Sequence, residues 1–241
     1  MYEYTIKVNS FDVFPNSTLK PSALLRYMQQ GARVDCDRQG ATYASMRELN
    51  TVFMLTKLAF LLNRPVMSDE TITLKTYNNS TDSLYFDREF EIYSAEGEEI
   101  GHASSFWVLV RFDTRKPVRP REYPVEFEAL HIAKEVLEIP RRFRAEDSAP
   151  LGDRIVRVSD LDENNHLNNC IYTDIALDAL PGFDGLTKTV SGMKILFHHE
   201  ARLHDVLALA HSKNDGKDLI TAVNTTSGMP CFDAEFELAS C

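Results

Sequence analysis

Between Val158 and Asn169 the chain gathers three acids (Asp160, Asp162, Glu163), four asparagines (Asn164, Asn165, Asn168, Asn169) and one histidine, His166. Side chains of these types accept, donate and exchange protons, which a purely structural loop has little use for. A short apolar run, Ile155 to Val158, leads into the cluster, and an apolar helical pattern from Cys170 to Leu180 follows it. Asn168 or Asn169 suits the helix N-cap, because a side-chain amide oxygen can take an orphan N–H of the first turn. The cluster is therefore expected at a helix mouth, where outward N–H groups favour negative charge and could hold an oxyanion.

Composition bounds what such a site can serve. The 241 residues are 44% hydrophobic and 26% charged, as expected of a globular protein. No apolar run approaches the ~20 residues of a membrane span; Lys57 interrupts the longest, Thr51 to Leu62. The N-terminal residues Met1 to Val8 lack an apolar signal core and alternate like a strand, so a cytoplasmic protein is expected. Cys36, Cys170, Cys231 and Cys241 show no CxxC spacing, so neither a zinc site nor a disulfide framework is expected. The net charge of −10 argues against general nucleic-acid binding. Asp160, Asp162 and Asn164 share the spacing that opens a calcium loop, but Asn165 and Ile171 stand where that loop needs Gly and Glu. No cofactor or metal is expected.

In chain order, residues 2–8 read as a strand, and Pro21 opens a helix that Gly40 closes. Strands are then expected at Thr51 to Leu62, Thr71 to Tyr77, Leu84 to Tyr93 and Ile100 to Phe112, with turns at Asn78-Asn79-Ser80 and Glu96-Gly97. Prolines and charge from Asp113 to Gly152 predict a linker with a short helix near Glu126 to Leu137. The same order then returns: a strand at Asp153 to Val158, the polar cluster, a helix, and strands at Thr189 to His199, Asp205 to Ser212, Leu219 to Thr225 and Cys231 to Leu238.

This is an internal repeat. Asp12 to Leu19 matches Asp160 to Leu167 at an offset of 148, and Lys57 to Phe60 matches Lys194 to Phe197 at 137, the first copy having the longer post-helix loop. Asp162 then stands opposite Phe14, His166 opposite Thr18 and Glu200 opposite Asn63. At each place the second copy is ionisable and the first is not. One half is expected to handle protons, the other to supply scaffold and pocket.

Ser159-Asp160-Leu161-Asp162-x-Asn164-x-His166-x-Asn168-Asn169 resembles the signature of acyl-acyl-carrier-protein thioesterases, and the likeness extends to tandem units and linker across the chain. That resemblance implies an α+β double hotdog fold, each half an antiparallel sheet wrapped around a long central helix. It divides the chain into a first hotdog at 1–112, a linker at 113–152 and a catalytic hotdog at 153–241. It further implies hydrolysis of fatty acyl-acyl-carrier-protein to free fatty acid. The family's functional residues fall on Asp162, Asn164, His166 and Glu200. Where plant members carry a cysteine next to the Glu, this chain has Ala201, so direct attack by water is expected.

A base in such chemistry is worth about 10²–10⁴-fold. Glu200 is the first choice and Asp162 the second, with His166 orienting and exchanging protons and Asn164 positioning His166 or the carbonyl. An acidic carrier protein is the expected partner, docked by part of Arg111, Arg115, Lys116, Arg119, Arg121, Arg141, Arg142 and Arg144; a homodimer is left open. An acyl-CoA thioesterase, a hotdog enoyl-thioester hydratase and a non-catalytic acyl-binding module are the rivals. His198 and His199, neighbours on a strand, are expected to point to opposite faces, and Trp107 to lie in the core.

Overall fold

The computed structural model describes residues 1–81, 84–132 and 136–240. Its elements run β1 (Tyr2–Lys7), α1 (Pro21–Arg38), α2 (Tyr43–Glu48), β2 (Thr51–Leu62), β3 (Thr71–Thr81), β4 (Tyr85–Ser94), β5 (Glu99–Arg111), β6 (Glu146–Ile155), α3 (Asn169–Asp178), β7 (Lys188–Phe197), β8 (Val206–Asn214), β9 (Lys217–Asn224) and β10 (Met229–Ser240). The strands form one ten-stranded sheet in the order β1-β3-β4-β5-β2-β7-β10-β9-β8-β6. Every ladder between these strands is antiparallel. This is the expected α+β double hotdog: five strands about α1, then five about α3.

Burial explains the wrapping. α1 starts at a proline whose missing N–H costs nothing at the first helical position, and it buries Ala23, Leu24, Leu25, Met28 and Ala32. They meet Leu58, Phe60, Ile72, Leu74, Phe90 and Ile92 of the sheet in one continuous core that also takes in Ile175 and Ala176 of α3. Burying each of the leucine, isoleucine, phenylalanine and methionine side chains is worth roughly 1.5–3 kcal/mol. Where the helix comes closest to the sheet edge it carries Gly31, since a Cβ there would lie 2.7 Å from the Tyr4 ring.

The seam between the halves is β2 against β7. Lys57 pairs with Leu196 and Ala59 with Lys194. In the repeat, Lys57 corresponds to Lys194 and Ala59 to Leu196, so the pairing is reciprocal, as a two-fold contact must be.

Backbone hydrogen bonds show the duplication residue by residue. Phe14 N–H to Thr18 C=O and Asp162 N–H to His166 C=O are both 2.8 Å, and Lys20 to Asp12 and Asn168 to Asp160 are both 2.9 Å. Ser17 and Asn165 share a left-handed backbone at φ 68° and 63°. Further along, the register differs from the expected one. Leu19 donates to Val66 as Leu167 does to Ala201, which sets Glu200 against Pro65 rather than Asn63. Pro65 is no more ionisable, so the contrast between the copies stands.

Other expectations need correction. Asn78, Asn79 and Ser80 continue β3 instead of turning, because Asn78 and Asn79 are buried and bonded to the segment after Tyr123. The helix expected at Glu126 to Leu137 is absent from the described residues there. Residues 133–135 of that stretch lie outside the described residues; of the rest, Ala129 bridges Asn78 in parallel. β6 begins at Glu146, inside the expected linker. α2 has no counterpart in the expected elements; Thr42 caps it by accepting from Ser45 N–H. Among the described residues, no helix is long and apolar enough to cross a membrane.

Candidate active site

The polar cluster is a tight turn closing onto α3. Asp162 Oδ1 accepts the backbone N–H groups of Asn164 at 2.9 Å and His166 at 3.1 Å. That carboxylate is turned back on its own loop. Asp160 likewise takes Arg157 N–H at 2.7 Å and Arg154 Nη2 at 2.9 Å. Asn168 is the N-cap, its side chain accepting from Cys170 N–H at 2.9 Å.

Glu200 follows the end of β7. The backbone bond from Leu167 N–H to Ala201 C=O, 2.8 Å, draws it to the turn, and Ala201 N–H in turn donates to Tyr172 Oη at 3.2 Å. In consequence His166 Nε2 lies 3.2 Å from Glu200 Oε2. The side chains are 12% and 28% exposed, shielded enough to interact strongly yet open to water. Burial is the largest influence on the imidazole and pulls its pKa below the usual 6.5. Glu200 opposes that, Arg115 adds to it, Asp162 opposes and Arg202 adds. The net is downward, so His166 is neutral at neutral pH.

Arg115 is a third member that the sequence reading placed only in the carrier-docking set. Its Nη2 donates to Glu200 Oε2 at 3.2 Å and lies 3.5 Å from His166 Nε2. It comes from the segment just past β5. Beyond β5 the chain doubles back, with Arg115 N–H bonded to Arg111 C=O and Val110 bridged to Pro117, and Arg115 sits at the bend with φ 56°. Nothing in local sequence separates it from its basic neighbours; only the fold does.

A cavity of about 510 Å³ opens beside the turn. Asp162, Asn164, Asn168 and Asn169 line it from the second half, and Gln29, Met46, Phe53, Phe86, Trp107 and Phe127 from the first and the segment after it. His166 and Glu200 are not among its lining residues; they belong to the same turn and the strand end bonded to it. Trp107 packs on the core as expected, yet it also forms cavity wall. Arg88, also on the cavity wall, pairs with Asp35 at 2.9 Å, both almost fully buried.

In the first copy the equivalent turn holds no proton-handling pair. Phe14 stacks edge-on to Phe183 at 5.2 Å, and Thr18 takes a bond from Thr189 at 3.0 Å. Burial pushes the Cys170 and Cys231 thiols up to about 12 and raises that of Cys36, which lines the cavity, so a thiolate is disfavoured at all three. His198 bonds Asp233 and His199 bonds the Pro230 carbonyl. His198 is half-buried and His199 exposed. Among the described residues no cluster of His, Cys, Asp and Glu could hold a metal ion.

Tandem hotdogs with an acid–imidazole pair beside a cavity of mixed lining suit chemistry on an acyl thioester. Two family models match, the acyl-ACP thioesterase N-terminal domain over residues 1–127 and its C-terminal domain over residues 147–234. The chain belongs to the acyl-ACP thioesterase family. Similar curated proteins include the chloroplastic oleoyl-acyl carrier protein thioesterase 2 of Arabidopsis thaliana, 22% identical over 94% of this chain and 67% of its own length. The chloroplastic acyl-[acyl-carrier-protein] hydrolase FATB3 of Cuphea viscosissima is 22% identical over 90% of this chain and 56% of its own length. Among solved structures, an acyl-ACP thioesterase from Bacteroides thetaiotaomicron superposes with a TM-score of 0.88 at 21% identity, covering 98% of this chain and 97% of that one. The 12:0-ACP thioesterase of Umbellularia californica gives 0.78 at 17% identity, covering 100% and 97%.

Proposed function

We propose that this enzyme releases a free fatty acid from acyl-acyl-carrier-protein by direct attack of water, with Glu200 as the general base. The observation that carries the reading is the 3.2 Å contact of His166 Nε2 with Glu200 Oε2 beside a cavity with an apolar wall. Glu200 takes a proton from water as the oxygen bonds to the thioester carbon. The tetrahedral intermediate then expels the carrier thiolate, and the proton held by Glu200 and His166 returns to the sulfur. Asp162 acts as the organiser of the turn, since one of its oxygens is committed to two backbone donors. Asn164 aims the carbonyl.

The first half, 1–112, supplies the acyl slot and the second, 153–241, the proton-handling groups, with 113–152 between them. Exposed Arg141, Arg142 and Arg144 offer an acidic carrier a local basic face on a chain of net charge −10. Free Cys36, Cys170 and Cys231 suit the reducing cytoplasm. The test is free-thiol release from matched acyl-ACP, acyl-CoA and enoyl-CoA. Faster release from the carrier protein supports the reading, preference for CoA moves the substrate to acyl-CoA, and water addition to the enoyl group without thiol would replace hydrolysis by hydration.

A further inference from the structure

Two polar atoms on the cavity wall are shut off from solvent and meet no partner among the described residues: Gln29 Nε2 on α1 and Asn164 Oδ1 in the polar turn. One belongs to each half of the molecule. A buried polar group left without a hydrogen bond costs about 1–3 kcal/mol, and most buried groups avoid that cost. Of the two, the Gln29 donor can be answered by a carbonyl oxygen brought by a ligand, whereas the Asn164 oxygen needs an O–H or N–H.

Gln29 is held toward the turn. Three residues before it, Arg26 bonds Asp174 of α3 at 3.4 Å, and four residues after it, Arg33 bonds Glu163 at 3.1 Å. Residues at these spacings share one helix face, so Gln29 lies on the strip of α1 clamped at both ends to the second half. Glu163 is the immediate neighbour of Asn164.

Most backbone donors around the helix mouth are already engaged, the N–H of Asn169 at the first helical position being outside that set. Asn164 and His166 N–H bond Asp162, Cys170 N–H bonds the Asn168 side chain, Leu167 N–H bonds Ala201, Asn168 N–H bonds Asp160, and Ile171 N–H bonds Asn168 C=O. Resting on the hydrolytic reading above, we infer that Gln29 is a carbonyl-binding residue: its Nε2–H donates to the thioester oxygen and more strongly to the oxyanion that follows. A neutral donor fixed in a dry wall is suited to this, because it needs no reorganisation as charge develops.

The test is Gln29→Leu in the full chain, assayed with acyl-ACP and acyl-CoA beside Glu200→Gln. Loss of one such donor should lower kcat about 10²–10³-fold, with KM changed less than about threefold and no fall in Tm, because an unmatched buried donor has been removed. Gln29→Glu, matched in size but without the amide donor, should fail likewise. Unchanged kcat in Gln29→Leu overturns the inference. So does a raised KM at constant kcat, which would put the donor on another part of the ligand, or a kcat loss that appears only with a matching fall in Tm. If Glu200→Gln is inactive while Gln29→Leu turns over normally, only this inference fails; if Glu200→Gln turns over normally, the assignment of the base fails instead.

Discussion

Leu167 donates its backbone N–H to the carbonyl of Ala201 at 2.8 Å, and each of the two is the immediate chain neighbour of a proposed catalytic side chain. One main-chain bond thus sets where His166 stands relative to Glu200. Tyr172 reinforces it from α3 by accepting from Ala201 N–H at 3.2 Å. Tyr172→Phe should cost about 1–3 kcal/mol, because it leaves that N–H buried and unpaired. Turnover should fall with little change in KM as Glu200 loosens. Urea unfolding and steady-state kinetics on the same preparation check both.

Glu200→Gln and His166→Ala should each lower kcat by about 10²–10⁴-fold. Neither side chain is a core-packing group, so circular dichroism melts should stay close to wild type. The double variant should be little worse than either single one, because residues acting as one unit are not additive.

The pH dependence follows from the depressed pKa of His166, whose causes are burial first and Arg115 among the others. A protonated imidazole cannot take part as an acceptor, so activity carried by neutral His166 is lost as pH falls through a pKa below 6.5. Removing the positive charge in Arg115→Gln makes protonation easier, so the acidic limb of kcat/KM should move to higher pH. Arg115→Lys should leave it nearer the wild-type position. A limb that stays in place in Arg115→Gln would separate the guanidinium from the titration.

Arg88 and Asp35 form a charge pair 2.9 Å apart with side chains 6% and 5% exposed. Asp35→Ala strands the guanidinium and should cost about 3–5 kcal/mol, whereas the double change Arg88→Met with Asp35→Leu should recover most of that. Denaturant midpoints of the two variants decide it. The double variant also lines the cavity with apolar surface, so its preference across a series of acyl lengths should change.

Charge reversal at Arg141, Arg142 and Arg144 should raise KM for acyl-ACP and spare a small acyl thioester, since rim charges act chiefly on association. Equal effects on both substrates would remove the docking assignment.

Periodicity made most of this architecture legible. The continuous apolar run Thr51 to Leu62 is β2, and the helix opened by Pro21 runs to Arg38. Tertiary contacts overrode local signals elsewhere. Asn78 and Asn79 look like turn residues but are buried in β3 and bonded to Leu130 and His131. The pairing of His166 with Glu200 could be anticipated because both sit in a motif or beside a recognisable strand end. Arg115 and Gln29 could not. One is a basic residue among basic residues, the other a glutamine on an amphipathic helix, and their importance lies in what a different part of the chain brings near them.

The reciprocal ladder of β2 on β7 has a consequence for how such an enzyme can change. Two identical chains meeting there would carry every alteration in both sites at once. Joined covalently, the partners are released from sameness: the position of Phe14 became a hydrophobic buttress against Phe183, while Asp162, its counterpart, remained free to shape a reactive turn. A joined pair can use one of its two turns as structural support and leave a cavity wall open to remodelling for new acyl groups, apart from the residues proposed to break the bond.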